Sequence, residues 1–242
     1  MTNLIKADLG RIIKKPVLYL FTILPIVQLI ADSIGFKKEN SFERINTLWG
    51  SISAVAALFF TLSALILVFG DEFRSGAMQT VIGHGLSRTK LILAKYFECL
   101  ILLLGQTIIL ALSVLITNAC IGVIASPQDN AIMMMGAIFQ CFLPICAYLS
   151  ISVFLIFTMW NAAVGFIASS FMALFVGVLT NLLQQLLKVP LYDYWVTTMF
   201  KNSGNAFAAG QFDVLFLVAI AGYIVLPLAL TSLILRRKEL AL

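Results

Sequence analysis

The sequence predicts an all-α polytopic membrane protein with six transmembrane helices, and its composition and charge spacing carry that prediction. Of the 242 residues, 61% are hydrophobic and only 11% are charged, whereas a soluble domain has about 25% charged residues. The charges form short clusters between apolar runs, and these runs approach or exceed the roughly 20 residues that cross a bilayer. Because the runs do not alternate in polarity, they indicate helices and not the strands of a β-barrel.

We expect one transmembrane domain over residues 1–242, with an interfacial helix before the first span. Residues 1–15 mix apolar and basic side chains, as a helix lying flat on the membrane does. Pro16 then opens the first span, since proline is tolerated in the first turn of a helix. Polar loops are expected at 35–46 and 187–212. The six spans are expected at about 17–33, 48–70, 92–118, 132–158, 162–186 and 213–235.

The basic residues predict how these spans are oriented. If both termini are cytoplasmic, eleven of the sixteen Lys and Arg residues face the cytoplasm and five face outward. Cytoplasmic loops of membrane proteins are enriched in Lys and Arg. We therefore expect both termini in the cytoplasm, as an even number of spans allows. The excess of basic residues is expected to contact the lipid bilayer surface, and no nucleic acid partner is expected.

The cytoplasmic connection between the second and third spans, residues 71–90, carries the clearest candidate site. Asp71, Glu72 and Arg74 open it, and four apolar residues follow at helical spacing: Ala77, Met78, Val81 and Ile82. A short amphipathic connecting helix fits this pattern, and its N-terminus would favour the two carboxylates. The functional interpretation is a docking helix for a cytosolic partner, and an ordinary solvated loop fits the pattern equally well.

Glu98 is a carboxylate that lies well inside an apolar run. Such residues are costly in hydrocarbon and often functional. Lys95 lies three residues earlier, so an ion pair at the membrane interface is the simpler interpretation. We find no second buried carboxylate near helical spacing, and the sequence therefore predicts no proton relay.

The fifth span has small residues at every fourth position, and we single out Gly165, Ser169, Ala173 and Gly177. Small residues at this spacing let two helix backbones approach closely. Packing within one subunit and packing at a dimer interface both fit the pattern.

Uncharged polar residues in the first two spans are candidates for a substrate path, and these are Gln28, Ser51 and Thr61. Hydrogen bonding to neighbouring helices explains such residues equally well. No metal site is predicted, because the single histidine, His84, has no Cys or carboxylate partners at ligand spacing.

The stretch GDEFRSGAMQTVIGHGLSRTKLILAKY (residues 70–96) resembles the segment between the second and third spans of type-2 ABC exporter permeases. Those proteins have an acidic residue, a small residue soon after, a small-residue turn, a basic residue and a lysine-bearing helix start. The matching positions here are Glu72, Gly76, Gly85, Ser87, Arg88 and Lys95. The six-span layout, the amphipathic N-terminal helix and the basic C-terminal end also match, so the resemblance covers nearly the whole chain.

The resemblance implies a permease subunit that pairs with a second copy of itself or with a sibling permease. Each subunit would bind one soluble ABC ATPase through the N-terminal helix and the connecting segment. The implied docking residues are Asp71, Glu72, Arg74, Gly76, Met78, Val81 and Arg88. ATP and Mg would bind the partner, because this chain has no phosphate-binding loop motif; we expect no cofactor on this chain and no enzyme activity of its own.

The resemblance also implies the location and the cargo. The closest likeness is to bacterial permeases for peptide, lantibiotic and bacitracin export and immunity, which lie in the cytoplasmic membrane. The expected cargo is therefore an amphipathic antimicrobial peptide or a small hydrophobic compound. In that family the last external loop often carries short helices at the exit of the path.

Other functional classes leave different traces in a sequence. A stand-alone secondary transporter should show intramembrane ionisable pairs and internal repeats, and we find neither. An intramembrane protease should have catalytic carboxylates or histidines in several spans, which this chain lacks. A non-transporting immunity or assembly factor would have the same spans as an exporter, so it stays open as an alternative.

Overall fold

The computed structural model describes residues 2–35, 41–70, 72–73, 88–120 and 134–237. These residues are almost entirely helical and include no β-strand. Six of their helices are long and apolar enough to cross a membrane. The all-helical class and the number of candidate spans are therefore confirmed.

An N-terminal helix, six candidate spans, a 3₁₀ turn and one short helix contain most of the described residues. Helix α1 covers Thr2–Ile12. The candidate spans are α2 (Pro16–Gly35), α3 (Ser41–Leu65, continued by a π-helical turn at Ile66–Gly70), α4 (Arg88–Cys120), α5 (Met134–Met159), α6 (Ala162–Leu187) and α8 (residues 214–237). The short helix α7 (Val196–Ala208) lies between α6 and α8.

Two segments predicted as loops contain helix. Helix α3 begins at Ser41 and not near residue 48. Residues 41–46 contain no Gly or Pro, so the membrane helix continues into the polar layer. Between α6 and α8, the expected loop at 187–212 folds into a 3₁₀ turn at Tyr192–Tyr194 and into α7.

Helices α3 and α5 form the centre of the bundle, and α2, α6 and α8 lie at its edge. In the span of α5, 67% of residues are buried, against 17% in the spans of α6 and α8. The exposed residues of the edge helices are mostly large and apolar, as a lipid-facing surface requires. Helix α1 packs on α4 and the end of α3, and we call that end the near side. Helix α7 packs on α5 and α8 at the opposite end, the far side.

A two-residue turn joins α5 to α6 on the near side. Trp160 ends α5 in the left-handed conformation, with φ of 53°. Asn161 then caps α6, where its side chain accepts a hydrogen bond from the backbone N–H of Ala163 at 2.9 Å. The short turn forces α5 and α6 to pack as an antiparallel hairpin.

Part of the small-residue stripe of α6 packs against other residues of the same chain. At Gly165, a Cβ atom would overlap the side chain of Ile156 and lie 3.2 Å from the carbonyl oxygen of Ser152 in α5. Ser169 is buried, and Gly177 lies against Trp195. For Gly165, the close approach that small residues permit is therefore an approach between α6 and α5 within one subunit.

Wider π-helical turns interrupt four of the described spans, at Ile66–Gly70, Ala137–Phe142, Met172–Val176 and Ala221–Val225. Such a turn inserts one extra residue and turns the following side chains by about 100° relative to an uninterrupted helix. The first lies at the near-side end of α3, and the other three occur in α5, α6 and α8.

We expect Gly165→Ala to lower the free energy of unfolding by about 1–3 kcal/mol, because its methyl group enters an occupied space between α5 and α6. Gly177→Ala is the matched control on the same helix, since its Cβ would lie an ordinary 3.6 Å from Nε1 of Trp195. The control gains helix propensity of up to about 1 kcal/mol. Unfolding of both purified variants in detergent measures the difference, and equal stability would contradict the close α5–α6 contact.

Candidate functional site

A buried lysine surrounded by carboxylates lies on the near side. Lys95 is 2% exposed. Its Nζ atom lies 2.6 Å from Asp8 Oδ2 and 3.0 Å from Glu98 Oε2, and it also forms an ion pair with Glu72 Oε1. We call Asp8, Glu72, Lys95 and Glu98 the Lys95 cluster.

Three parts of the chain supply this cluster. Asp8 comes from α1, Glu72 from the residues directly after α3, and Lys95 and Glu98 from the first turns of α4. The i, i+3 spacing places Lys95 and Glu98 on one face of α4, so their predicted pairing is confirmed. The π-helical turn that ends α3 finishes at Gly70, two residues before Glu72.

The length of α4 places the cluster near the membrane boundary. The helix has 33 residues, which span about 50 Å, and the hydrocarbon of a bilayer is about 30 Å thick. Centred on the bilayer, α4 extends beyond the hydrocarbon by about 10 Å at each end. Lys95 is seven residues from Arg88, or about 10 Å along the axis. With α4 centred in this way, the cluster would lie where the near-side hydrocarbon ends.

The cluster holds more carboxylates than cations. Arg11, which is partly exposed, adds a longer contact to Asp8 at 3.7 Å. Two cations thus face three carboxylates. The second carboxylate oxygen of Glu98 is buried and has no hydrogen-bond partner among the described residues. Burial raises the pKa of Glu72 above its ordinary value near 4.5, although the neighbouring Lys95 ammonium opposes that rise.

Aromatic rings hold the residue next to Glu72. The ring of Phe73 lies 5.4 Å from that of Trp160 and 6.2 Å from that of Phe157, between ring centroids. Phe69 contacts Phe73 and Phe157 from the end of α3. The start of the connecting segment is therefore attached twice, by Glu72 to the charged cluster and by Phe73 to the α5–α6 turn.

The described residues include only part of the predicted docking set. Glu72 contacts Lys95, and Arg88 begins α4. The side chain of Arg88 and the remaining docking positions lie outside the described residues, and these positions are Asp71, Arg74, Gly76, Met78 and Val81. The predicted amphipathic helix at 75–82 and His84 also lie outside them.

The predicted substrate-path residues do not form one group. Gln28 and Ser51 both donate hydrogen bonds to the carboxylate of Asp32, at 2.9 and 2.8 Å. Thr61 lies ten residues, or about 15 Å, further along α3 than Ser51. Its side chain is fully buried, and its hydroxyl has no hydrogen-bond partner among the described residues. The structure brings together Gln28 and Ser51, and not Thr61.

Two acidic residues that the sequence did not single out, Asp8 and Asp32, take part in these contacts. Asp8 is the sole acidic residue of α1, and an isolated carboxylate in a basic helix could have indicated a buried cationic partner. The predicted pair of Lys95 and Glu98 is present and buried, and two further carboxylates join it. The other carboxylates reach them from elements distant in sequence, which helical spacing within one run does not reveal. Among the described residues no cluster suits a metal ion.

No protein-family model and no curated protein matches this chain. Its function is therefore inferred from its own residues.

We expect Lys95→Met to lower the free energy of unfolding by about 3–5 kcal/mol, because it leaves buried carboxylates without their cation. Lys90→Met, which removes an exposed lysine from the same helix, should change stability by less than about 0.5 kcal/mol. Adding Glu98→Gln to Lys95→Met should restore part of the loss. Unfolding in detergent at pH 8 measures all three, and a Lys95→Met variant as stable as the Lys90 control would contradict a structural cluster.

The raised pKa of Glu72 predicts a pH dependence. The folded state binds a proton at Glu72 more tightly than the unfolded state, so this group stabilises the fold most at low pH. That contribution is lost as pH rises through the folded-state pKa, above the ordinary value near 4.5. Measured by melting temperature from pH 4 to 8, the stability of the wild type relative to Glu72→Gln should therefore fall as pH rises. A difference that grows with pH would contradict the assignment.

Proposed function

We propose that this chain is the membrane-spanning permease subunit of an ATP-driven exporter. The observation that carries the proposal is the Lys95 cluster, in which Glu72, at the start of the connecting segment, binds the same lysine as Asp8 of α1 and Glu98 of α4. A soluble partner that docks on residues 71–90 and on α1 would then act on three near-side elements at once. The resemblance of residues 70–96 to the corresponding segment of type-2 ABC exporter permeases supports the same assignment.

In this proposal, ATP-driven closure of the partner ATPases displaces the connecting segment. Glu72 transmits the displacement to α1 and α4 through Lys95. Phe73 transmits it to the α5–α6 turn through Trp160. Buried, charge-paired groups suit this role because a change of position that separates them is costly, so the elements they join move together.

The proposed cargo is an amphipathic peptide or a small hydrophobic compound that enters from the bilayer or the cytoplasm. Two permeases, identical or sibling, form the path between them, in the bacterial cytoplasmic membrane with both termini inside. The uncharged character of the first two spans away from Asp32 supports an apolar or amphipathic cargo, because a strongly charged one would need charged partners there.

A proton-coupled secondary transporter is the second candidate, and the same cluster favours it. Buried carboxylates beside a lysine are a common feature of proton pathways. The position of the cluster at the near-side boundary favours coupling over proton relay, because a relay needs further titratable groups deeper in the bilayer. Among the described spans, the next carboxylate, Asp32, lies at the far-side end of α2.

The decisive experiment is affinity purification of the chain from its host in mild detergent, followed by mass spectrometry. We expect a soluble ATPase with a phosphate-binding loop in near-equal amount. Glu72→Ala and Arg74→Ala should lower its recovery at least tenfold, whereas Asp193→Ala, which removes an exposed far-side carboxylate, should not.

Three outcomes would reject the exporter. Recovery of the chain without an ATPase, under conditions that preserve a known ABC complex, rejects it directly. Proton uptake driven by substrate in proteoliposomes of the chain alone, abolished in Glu98→Gln, would instead establish the secondary transporter. An ATPase that binds without any substrate-stimulated ATP hydrolysis in the reconstituted complex would indicate a non-transporting immunity factor.

A further inference from the structure

A cavity of about 390 Å³ lies on the far side, between α3, α5, α6 and α7. Its wall includes Ser53 of α3, Gln140 of α5 and Gly177 of α6. Trp195, which directly precedes α7, and Lys201 of α7 complete it. This volume is at the small end of the range for ligand sites, about 300–1,000 Å³. It has room for a small head group and not for a folded peptide.

Two π-helical turns contribute to the wall of this cavity, and a third, in α8, packs behind one of its lining residues. Gln140 belongs to the turn in α5, and Ala173 and Leu174 belong to the turn in α6. Tyr223 belongs to the turn in α8; its ring packs edge-on against Trp195 at 6.3 Å, and its hydroxyl donates to the carbonyl of Tyr194 at 2.9 Å. Such turns are costly interruptions that occur frequently at functional sites. Their position in and behind the wall indicates that the cavity is a built feature of the fold.

The polar groups of the cavity suit an anion. Lys201 is the one charged residue among the described side chains that line it, and no carboxylate lines it. Hydroxyl and amide groups make up the rest of its polar surface, from residues that include Gln140, Thr197 and Asn202. Thr198 also lines it, and its buried hydroxyl has no hydrogen-bond partner among the described residues. A buried hydroxyl without a partner is unfavourable until a ligand supplies one.

The cavity is continuous with a lipid-facing surface. Leu174 and Val178 line it and are also 47% and 59% exposed on α6. Toward the near side on the same helix, Phe166, Phe171 and Phe175 line a second groove of about 330 Å³. The centre of that groove is about 10 Å along the axis from the cavity, at 1.5 Å per residue. A polar site and an apolar groove thus follow one another along α6.

We propose that the cavity binds the phosphate group of an anionic phospholipid from the far-side leaflet, with an acyl chain along α6. Lys201 binds the phosphate, the buried hydroxyl of Thr198 rotates into the cavity to donate a hydrogen bond to it, and the exposed apolar face of α6 contacts the acyl chain. The lipid is favoured over a soluble anion because the cavity opens onto Leu174 and Val178, a surface that hydrocarbon covers. This site is separate from the Lys95 cluster and from any ATPase-docking surface, since it lies at the opposite end of the bundle.

Native mass spectrometry of the full chain in a non-ionic detergent, titrated with phosphatidylglycerol and phosphatidylcholine, tests the proposal. Lys201→Gln should weaken phosphatidylglycerol binding about fivefold, the effect of one lysine near a lipid phosphate. Thr198→Val should weaken it about tenfold through loss of a hydrogen bond to a charged group, without lowering the melting temperature. Lys188→Gln is the matched control, because Lys188 is an exposed far-side lysine outside the cavity.

Equal losses in Lys201→Gln and Lys188→Gln would overturn the proposal, because they would indicate diffuse attraction of anionic lipid to the far side. Unchanged binding in Lys201→Gln and Thr198→Val would overturn it as well. Competition with glycerol 3-phosphate distinguishes a bound lipid from a bound free anion. We expect it to leave the bound lipid in place at millimolar concentration, and complete displacement would assign the cavity to a small soluble phosphate instead.

Discussion

The packing of α1, α4 and the end of α3 on the near side depends on the ammonium group of Lys95. Asp8, Glu72 and Glu98 are brought out of water by three different parts of the chain, and Lys95 is the cation that all three share. A buried carboxylate without a cation is strongly unfavourable. Helix α1 therefore packs on α4, and Glu72 folds back toward it, at the position where Lys95 emerges from the apolar part of its helix. The polar ends of α3 and α4 are held together by charge, and their apolar parts by packing.

Polar contacts of a different kind hold the spans within the membrane. The amide of Gln106 in α4 donates hydrogen bonds to Thr22 of α2 at 3.0 Å and to Ser63 of α3 at 2.9 Å. Tyr96 of α4 is hydrogen bonded to Ser150 of α5 at 2.8 Å between the oxygen atoms. These uncharged contacts fix which helices are neighbours at modest energy, about 0.6 kcal/mol each. The charged contact on the near side joins α1, the end of α3 and α4.

Hydropathy predicted the fold class well, because a run of apolar residues long enough to cross a bilayer has few alternatives to a helix. The helix ends were less accurate, as at Ser41, because hydropathy marks where the hydrocarbon ends and not where the helix does. Within the site, the pairing of Lys95 with Glu98 followed from their spacing. The contribution of Asp8 did not, because it depends on how α1 docks. The π-helical turns, one of which contains Gln140, have no sequence signature that periodicity detects.

The turn at Trp160 and Asn161 has a mechanical consequence. Because only two residues join α5 to α6, a displacement of the turn acts on both helices, and Phe73 contacts that turn through Trp160. Both helices extend to the far side, where Gln140 of α5 and Gly177 of α6 line the cavity. A ligand in the cavity that favours one separation of α5 and α6 also favours one position of the turn that joins them. Any such influence is equal in both directions, so whatever holds Phe73 on the near side also sets how readily the far side opens.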